Sequence, residues 1–168
     1  MKIRMTEDLA TTRLQTPIGQ LRLAANQEGL LAVLFPVDPQ ELPVLQGTAP
    51  ARAQLSEACT ALEDYFAGRR TSFEGLKLAA SGTEFQRQVW GALSRIPFGE
   101  TATYAGMARR IGRPSAVRAV GLANGQNPLP IIVPCHRVIG SNGALTGFAG
   151  GIPAKKWLLE FEGALPRV

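Results

Sequence analysis

The chain has 168 residues, is 45% hydrophobic, and carries 18 Lys/Arg against 13 Asp/Glu for a net charge of +5. That length suits one domain or two small ones sharing a core, and the apolar content excludes a disordered tail. No apolar run approaches the roughly 20 residues that cross a bilayer, and the N-terminus has no apolar signal-peptide region, so a cytoplasmic protein is expected.

The first elements read as strands. Thr12-Arg13-Leu14-Gln15-Thr16, Leu21-Arg22-Leu23-Ala24-Ala25 and Leu30 to Phe35 follow one another, with a Pro17-Ile18-Gly19 turn between the first two. This pattern predicts a hairpin or meander. Residues 36–50, rich in Pro, Gly and Gln, read as a loop. Gln54 to Phe66 is expected to be helical, because Leu55, Ala58, Cys59, Leu62, Tyr65 and Phe66 share one face and Gly68 follows. On that face Cys59 reads as a core residue. Phe73 to Ala79 reads as one further strand.

Ser81-Gly82-Thr83 opens a second part. Thr83 is the expected N-cap of a helix from Glu84 to about Arg95, with Phe85, Val89, Trp90 and Leu93 facing inward. Pro97 and Gly99 break the chain. Thr103 to Ile111 places Tyr104, Met107, Ala108 and Ile111 on one face, Gly112-Arg113-Pro114 turns, and Ser115 to about Asn124 forms a second helix with Val117, Val120 and Gly121 inside. Helix, short turn, helix is a helix-turn-helix pattern. The second helix is slender: Ala116, Ala119, Gly121, Ala123 and Gly125 leave Arg118 as its one long cation. A major-groove reader would present polar side chains to base edges. A thin helix with a single Arg suits the minor groove and insertion of one side chain into the base stack. The same pattern also describes a packed core helix with Arg118 in solvent.

Charge is unevenly placed. Residues 1–81 sum to −1 and residues 82–168 to +6, and no acidic residue lies between Thr101 and Leu159. A one-sided basic field favours a polyanion, although it also describes a solvated basic surface.

The apolar run Leu129-Pro130-Ile131-Ile132-Val133 reads as a buried strand leading into Pro134-Cys135-His136-Arg137-Val138, where Cys135 adjoins the only histidine. A free thiol has a pKa of about 8.5, so roughly a tenth or less is thiolate at neutral pH. On that footing full ionisation gains only about tenfold, and positioning plus a proton for the leaving group must supply the rest. Strand neighbours point to opposite faces, so Cys135 and His136 need a bend or a bridging water to communicate. Glu160 and Glu162 are the only acids after Glu100 and are the candidates to orient the imidazole. Cys135 taken alone also reads as a buried core thiol. Two cysteines are too few for a disulfide framework, and two Cys with one His cannot supply four zinc ligands, so a reducing compartment, no metal and no cofactor are expected. Two other classes fit parts of the pattern: a helix-turn-helix regulator with an incidental thiol, and a Cys-His hydrolase or redox thiol.

Pro134-Cys135-His136-Arg137-Val138-Ile139, preceded by Asn127-Pro128-Leu129-Pro130, resembles the active-site signature of the O6-alkylguanine-DNA alkyltransferases, the methylated-DNA–protein-cysteine methyltransferases. Further segments resemble the same family in order and spacing: Thr16-Pro17-Ile18-Gly19, Phe85 to Trp90, Ile96 to Thr101, Tyr104, Arg118-Ala119-Val120-Gly121, and Leu145-Thr146-Gly147-Phe148-Ala149-Gly150-Gly151. The resemblance implies an α/β (α+β) fold. Residues 1–80 would form a ribonuclease H-like β-sheet domain with a helix. Residues 81–168 would form a helical DNA-binding domain with a helix-turn-helix and an active-site loop. It implies single-turnover DNA repair, in which Cys135 irreversibly takes the alkyl group from O6 of a guanine flipped out through the minor groove. It also implies roles for individual residues. His136 would accept the thiol proton through a water, Glu162 would orient His136, and Asn127 would brace the turn before the cysteine. Tyr104 would donate toward guanine N3, its rival reading being a core tyrosine, and Arg118 would fill the gap left by the extruded nucleotide. Tyr104, Ala119, Gly121 and Ser141 would join Arg118 on DNA. Val138, Phe148 and Ala149 would line the alkylguanine pocket, with backbone groups of Cys135, Val138 and Ala149 reading the base edge. Phe148 lacks the hydroxyl that a Tyr would bring. The implied partner is double-stranded DNA bound by a monomer, with cooperative assembly along DNA left open; no metal and no membrane are implied.

Overall fold

The computed structural model describes residues 2–165; residues 1 and 168, the outer limits of the two expected domains, lie outside them. The chain divides between Ser81 and Gly82 into two compact units.

In the first unit, β1 (Ala10–Thr16), β2 (Gly19–Asn26) and β3 (Gly29–Leu34) form an antiparallel sheet in the order β1-β2-β3. The register pairs Leu14 with Leu21 and Leu23 with Val33. Alternation buries Leu21 and Leu23 on the face that helix α1 (Ala49–Phe66) covers. The other face is also buried, since Ala24, Ala32 and Leu34 cluster with Ile3, Leu9 and Leu42. The loop after β3 is therefore a cover for the sheet. Arg22 fastens it by donating to the carbonyls of Phe35, Asp38 and Gln40.

Three expectations change here. Helix α1 begins five residues before Gln54, because Thr48 caps it through Oγ1 to the Ala51 amide and Pro50 is tolerated in the first turn. Cys59 is half-buried rather than in the core, and burial with the nearby Glu63 charge pushes its thiol up to about 11. The expected strand over Phe73 to Ala79 reduces to one parallel bridge between Leu30 and Leu78. Gly75, with φ of 92°, turns the chain there and leaves only Lys77 and Ala79 to bond Leu30.

The second unit contains α2 (Glu84–Leu93), β4 (Ala102–Thr103), α3 (Tyr104–Arg110), α4 (Val117–Gly125), β5 (Val138–Ile139) and α5 (Ile152–Phe161). Thr83 caps α2 in a reciprocal box: its Oγ1 accepts from the Gln86 amide, and Gln86 Oε1 accepts from the Thr83 amide. Thr103 likewise caps α3, while α4 begins two residues after Ser115 and has no side-chain cap. Tertiary contacts hold it instead: Trp90 of α2 donates its indole N–H to the Ala123 carbonyl at 2.9 Å. The ladder between β4 and β5 is parallel and two residues long, too short to read from periodicity.

The buried strand expected over Leu129 to Val133 is absent; the segment is a series of turns. Ile131 adopts φ of 73°, rare for a β-branched residue, and the Val133 amide bonds the Leu129 carbonyl. Pro128 and Pro130 lack amides for a ladder, and the buried backbone is satisfied by Asn127: its Nδ2 donates to the Val133 carbonyl at 2.8 Å and its Oδ1 accepts from the Leu129 amide at 2.9 Å. Cys135–Arg137 then form one 3₁₀ turn.

Thr83→Ala removes half of the capping box without touching the buried interior. Chemical denaturation should show the second unit about 1 kcal/mol less stable. An unchanged midpoint would mean that contacts through Trp90 alone set the position of α2.

Candidate active site

The 3₁₀ turn resolves the geometric problem of adjacent Cys and His. Cys135, His136 and Arg137 project in different directions from a single tight turn, and all three are buried. His136 is fully buried, and its Nε2 lies 2.8 Å from Glu162 Oε2. Arg137 grips the same carboxylate, Nε to Oε1 at 2.8 Å and Nη2 to Oε2 at 3.0 Å, and sends Nη1 to the Ile96 carbonyl at 2.6 Å. Glu162 caps the C-terminus of α5; Glu160 instead lies 3.8 Å from Lys156. The choice between the two acids thus falls on Glu162.

The electrostatics define the resting state. Burial alone would raise the Glu162 pKa, but hydrogen bonds from His136 and Arg137 outweigh it and hold the carboxyl at about 2. Burial lowers the His136 pKa; Glu162 opposes this, while Arg137 and Lys155 add to it. The imidazole is therefore neutral at pH 7, with its proton on Nε2 facing an ionised carboxylate. Nδ1 is then an acceptor, and it makes no hydrogen bond to the described residues. A neutral ring with a spare lone pair is what a general base requires.

The thiol is equally constrained. Burial pushes Cys135 up to about 11, against the opposing pull of the Asn127 side chain, the Lys155 charge and nearby backbone amides. On the order of one thiol in 10⁴ is then ionised at pH 7. The gain available from deprotonation in this site far exceeds the tenfold expected for a free thiol.

Lys155 was not among the expected site residues. It is fully buried on α5, and its Nζ donates to the carbonyls of Val138 at 2.6 Å and Thr146 at 2.8 Å. It therefore ties the cysteine turn to the loop over residues 145–151 and places a cation near the thiol. A sequence signal existed: Lys155, Leu158, Leu159 and Glu162 share the buried face at i, i+3, i+4 and i+7. Arg137 gave no such signal, because its partner lies 25 residues away.

The remaining expected residues are placed as follows. Asn127 braces the turns before Cys135. Tyr104 begins α3, and its hydroxyl donates to the Thr146 carbonyl at 3.4 Å and accepts from the Thr146 hydroxyl at 3.3 Å. These contacts are long, so the phenol is only loosely engaged. Val138 is buried, with its amide on the Cys135 carbonyl and its own carbonyl on Lys155. Only the second lone pair of that carbonyl remains to read a base edge. Phe148 is half-buried, with its ring centroid 6.4 Å from that of His136, and Ala149 is exposed beside it. Arg118 and Ala119 are exposed on α4, Gly121 is half-buried, and Ser141 is exposed in the turn after β5. No group of three or more potential metal ligands occurs among the described residues.

Two family descriptions cover the chain: the ribonuclease-like domain of 6-O-methylguanine DNA methyltransferase matches residues 9–80, and its DNA-binding domain matches residues 84–164. A methylated-DNA–protein-cysteine methyltransferase of Methanosarcina acetivorans is 51% identical over 150 residues, covering 89% of this chain and 96% of the relative. One from Mycobacterium leprae is 48% identical over 149 residues, covering 89% of each. The crystal structure of Mycobacterium tuberculosis OGT in complex with DNA matches with a TM-score of 0.82 at 44% identity, covering 92% of this chain and 93% of that one.

The single histidine permits a direct check of the resting state. Its ring resonances should show no titration step at the ordinary value of 6.5, because the folded pKa lies lower. Between that lower value and 6.5 the unfolded chain binds more protons, so stability should fall as pH drops below 6.5. A second loss should follow between 4.5 and about 2 as Glu162 protonates. A step at 6.5 in the folded protein would show that His136 is not held neutral by burial.

Proposed function

The chain belongs to the 6-O-methylguanine DNA methyltransferase family, and on that premise we propose that it repairs O6-alkylguanine in DNA by moving the alkyl group to Cys135. The observation that carries the reading is the buried Cys135–His136–Arg137 turn locked to Glu162, in the same unit as a slender helix that leaves Arg118 and Ala119 exposed.

In this reading the alkylated base is first taken out of the stack, because O6 is not accessible to a buried thiol while the base is paired. Arg118 fills the space it leaves, and Ala119 and Gly121 let the α4 backbone approach the minor groove. Tyr104 and Ser141 add contacts beside it. The base enters the site bounded by Val138, Phe148 and Ala149. Backbone groups of Cys135 and Ala149 and the free lone pair of the Val138 carbonyl read its edge.

His136 Nδ1 then accepts the thiol proton through a water, while Glu162 stabilises the imidazolium through Nε2 and Lys155 stabilises the thiolate. Sγ attacks the alkyl carbon in line with the C–O6 bond. The S–C bond forms, the C–O6 bond breaks, and its electron pair passes into the guanine ring. Tyr104 supplies a proton at N3, so guanine leaves neutral, and the proton held by His136 restores the balance. No water can regenerate a thioether, so each molecule acts once. The chemistry needs no cofactor. Both steps are assigned to residues 81–168, and the protein is read as a monomer acting in the cytoplasm.

After incubation with an oligonucleotide containing O6-methylguanine, mass spectrometry should find one methyl group on Cys135 and none on Cys59. A consumed lesion beside an unmodified Cys135 would defeat the reading. Cys135→Ala should abolish transfer and retain duplex binding; lost binding would make the thiol structural. Arg118→Ala should slow repair of duplex lesions far more than reaction with free O6-benzylguanine, and should lower the salt slope of DNA binding by about 1. Equal losses on the two substrates would remove the extruding role.

A further inference from the structure

The outer face of α4 bears a side chain for which alkyl transfer has no use. The buried residues of this helix are Val120, Ala123 and Asn124. At about 100° per residue they centre one face. Arg118, Ala119, Leu122, Gly125 and Gln126 form the opposite face, and all five are exposed. Leu122 stands in the middle of it, 64% exposed. A lone surface leucine is ordinary, but the setting of this one is not. Its face is otherwise small or polar, with Arg118 one turn earlier. Gly121, the preceding residue, lies against Tyr104: a Cβ there would be 3.8 Å from the ring. Tyr104 in turn bonds Thr146 on the loop over the site. Among the described residues of this unit one other large hydrophobic is exposed, Ile152, which opens α5 directly after that loop.

We propose that Leu122 is a second minor-groove wedge, packing its methyl groups against deoxyribose and base edges of duplex DNA one helical turn from Arg118. The proposal rests on the DNA-repair reading above. Four residues of helix rise about 6 Å, close to two base steps of about 3.4 Å. With Arg118 in the gap of an extruded nucleotide, Leu122 falls beside pairs that remain stacked. Minor-groove proteins insert Leu, Ile, Met or Phe between steps that they unstack; here the leucine packs along the groove wall instead, and Arg118 takes the unstacked position. Ala119 and Gly125 carry at most a methyl group, too little to hold the backbone away from the groove. A position facing phosphates in this acid-free segment would favour Lys or Arg, whereas leucine offers phosphates nothing. The two side chains thus divide the work: Arg118 brings charge and reach, and Leu122 keeps the groove open by burying apolar surface.

The test compares full-length wild type, Leu122→Ala and Leu122→Lys. Binding to an undamaged duplex is measured across a salt series. Transfer rates are measured from an O6-methylguanine duplex and from free O6-benzylguanine. Leu122→Ala should bind the duplex about tenfold more weakly with an unchanged salt slope, because no phosphate contact is lost. Its ratio of duplex to free-base transfer should fall by a similar factor. Leu122→Lys should steepen the salt slope without restoring that ratio. The proposal is overturned if Leu122→Ala stays within about twofold of wild type in both assays, if its loss comes with a reduced salt slope, or if Leu122→Lys binds tighter and repairs faster. Absence of any transfer to Cys135 in wild type would instead sink the repair reading. The wedge would then be decided by undamaged-duplex binding alone, where a tenfold loss at constant slope supports it and an unchanged affinity overturns it.

Discussion

A buried carboxylate without partners is among the most expensive groups a protein interior can hold, and Glu162 is held there by two neighbours in sequence, His136 and Arg137. The arrangement makes the 3₁₀ turn obligatory, because both side chains must reach one acid at the end of α5. It also separates two tasks. Arg137 keeps the carboxylate ionised and packs over Phe98, with its guanidinium 5.8 Å from the ring. His136 orients its ring against that carboxylate and presents Nδ1 as an acceptor. Loss of the acid would leave a buried guanidinium unpaired, so stability and proton transfer depend on the same few bonds.

Lys155 extends this frame to the loop over the site. Its ammonium is shared between the Val138 and Thr146 carbonyls. Burial lowers the Lys155 pKa, and a charge on Cys135 opposes that shift only in part. The thiol rests protonated, at about 11, among groups that favour its ionised form only weakly. Cys135 is thus held inert until a substrate and a proton path are both present. Cys59 is raised to a similar value by burial and the Glu63 charge, without any of these groups.

The DNA-facing side of the second unit follows a different logic. Helix α4 has no side-chain cap and is held by packing and by the Trp90 indole. Its exposed residues are therefore free of structural duties. On its outer face the small residues Ala119 and Gly125 leave Arg118 and Leu122 to project, which suits the proposed approach to a groove. The same slenderness suits both the packed helix and the minor-groove helix that the sequence allows: one face of α4 buries Val120, Ala123 and Asn124, and the other leaves Arg118 exposed. Which residues fall on which face is a tertiary property.

The sequence by itself carried the strand meander, α2 with its Thr83 cap, the helix pair around Gly112, and the Cys135–His136 dyad. Each depends on local periodicity, turn chemistry or a short motif, which a chain records within a few residues. The extended reading of residues 129–133 failed because an apolar run is equally compatible with buried turns once Asn127 satisfies their backbone. Cys59 was misplaced because helical phase says which way a residue points and not what covers it. The motif pointed to Glu162 and helical phase set Lys155 beside Leu158 and Leu159, but only the tertiary structure brings Arg137 to Glu162 and joins Lys155 to the Val138 and Thr146 carbonyls. Those pairings join residues about 10 to 40 positions apart, and no local pattern records which charge meets which partner on that scale.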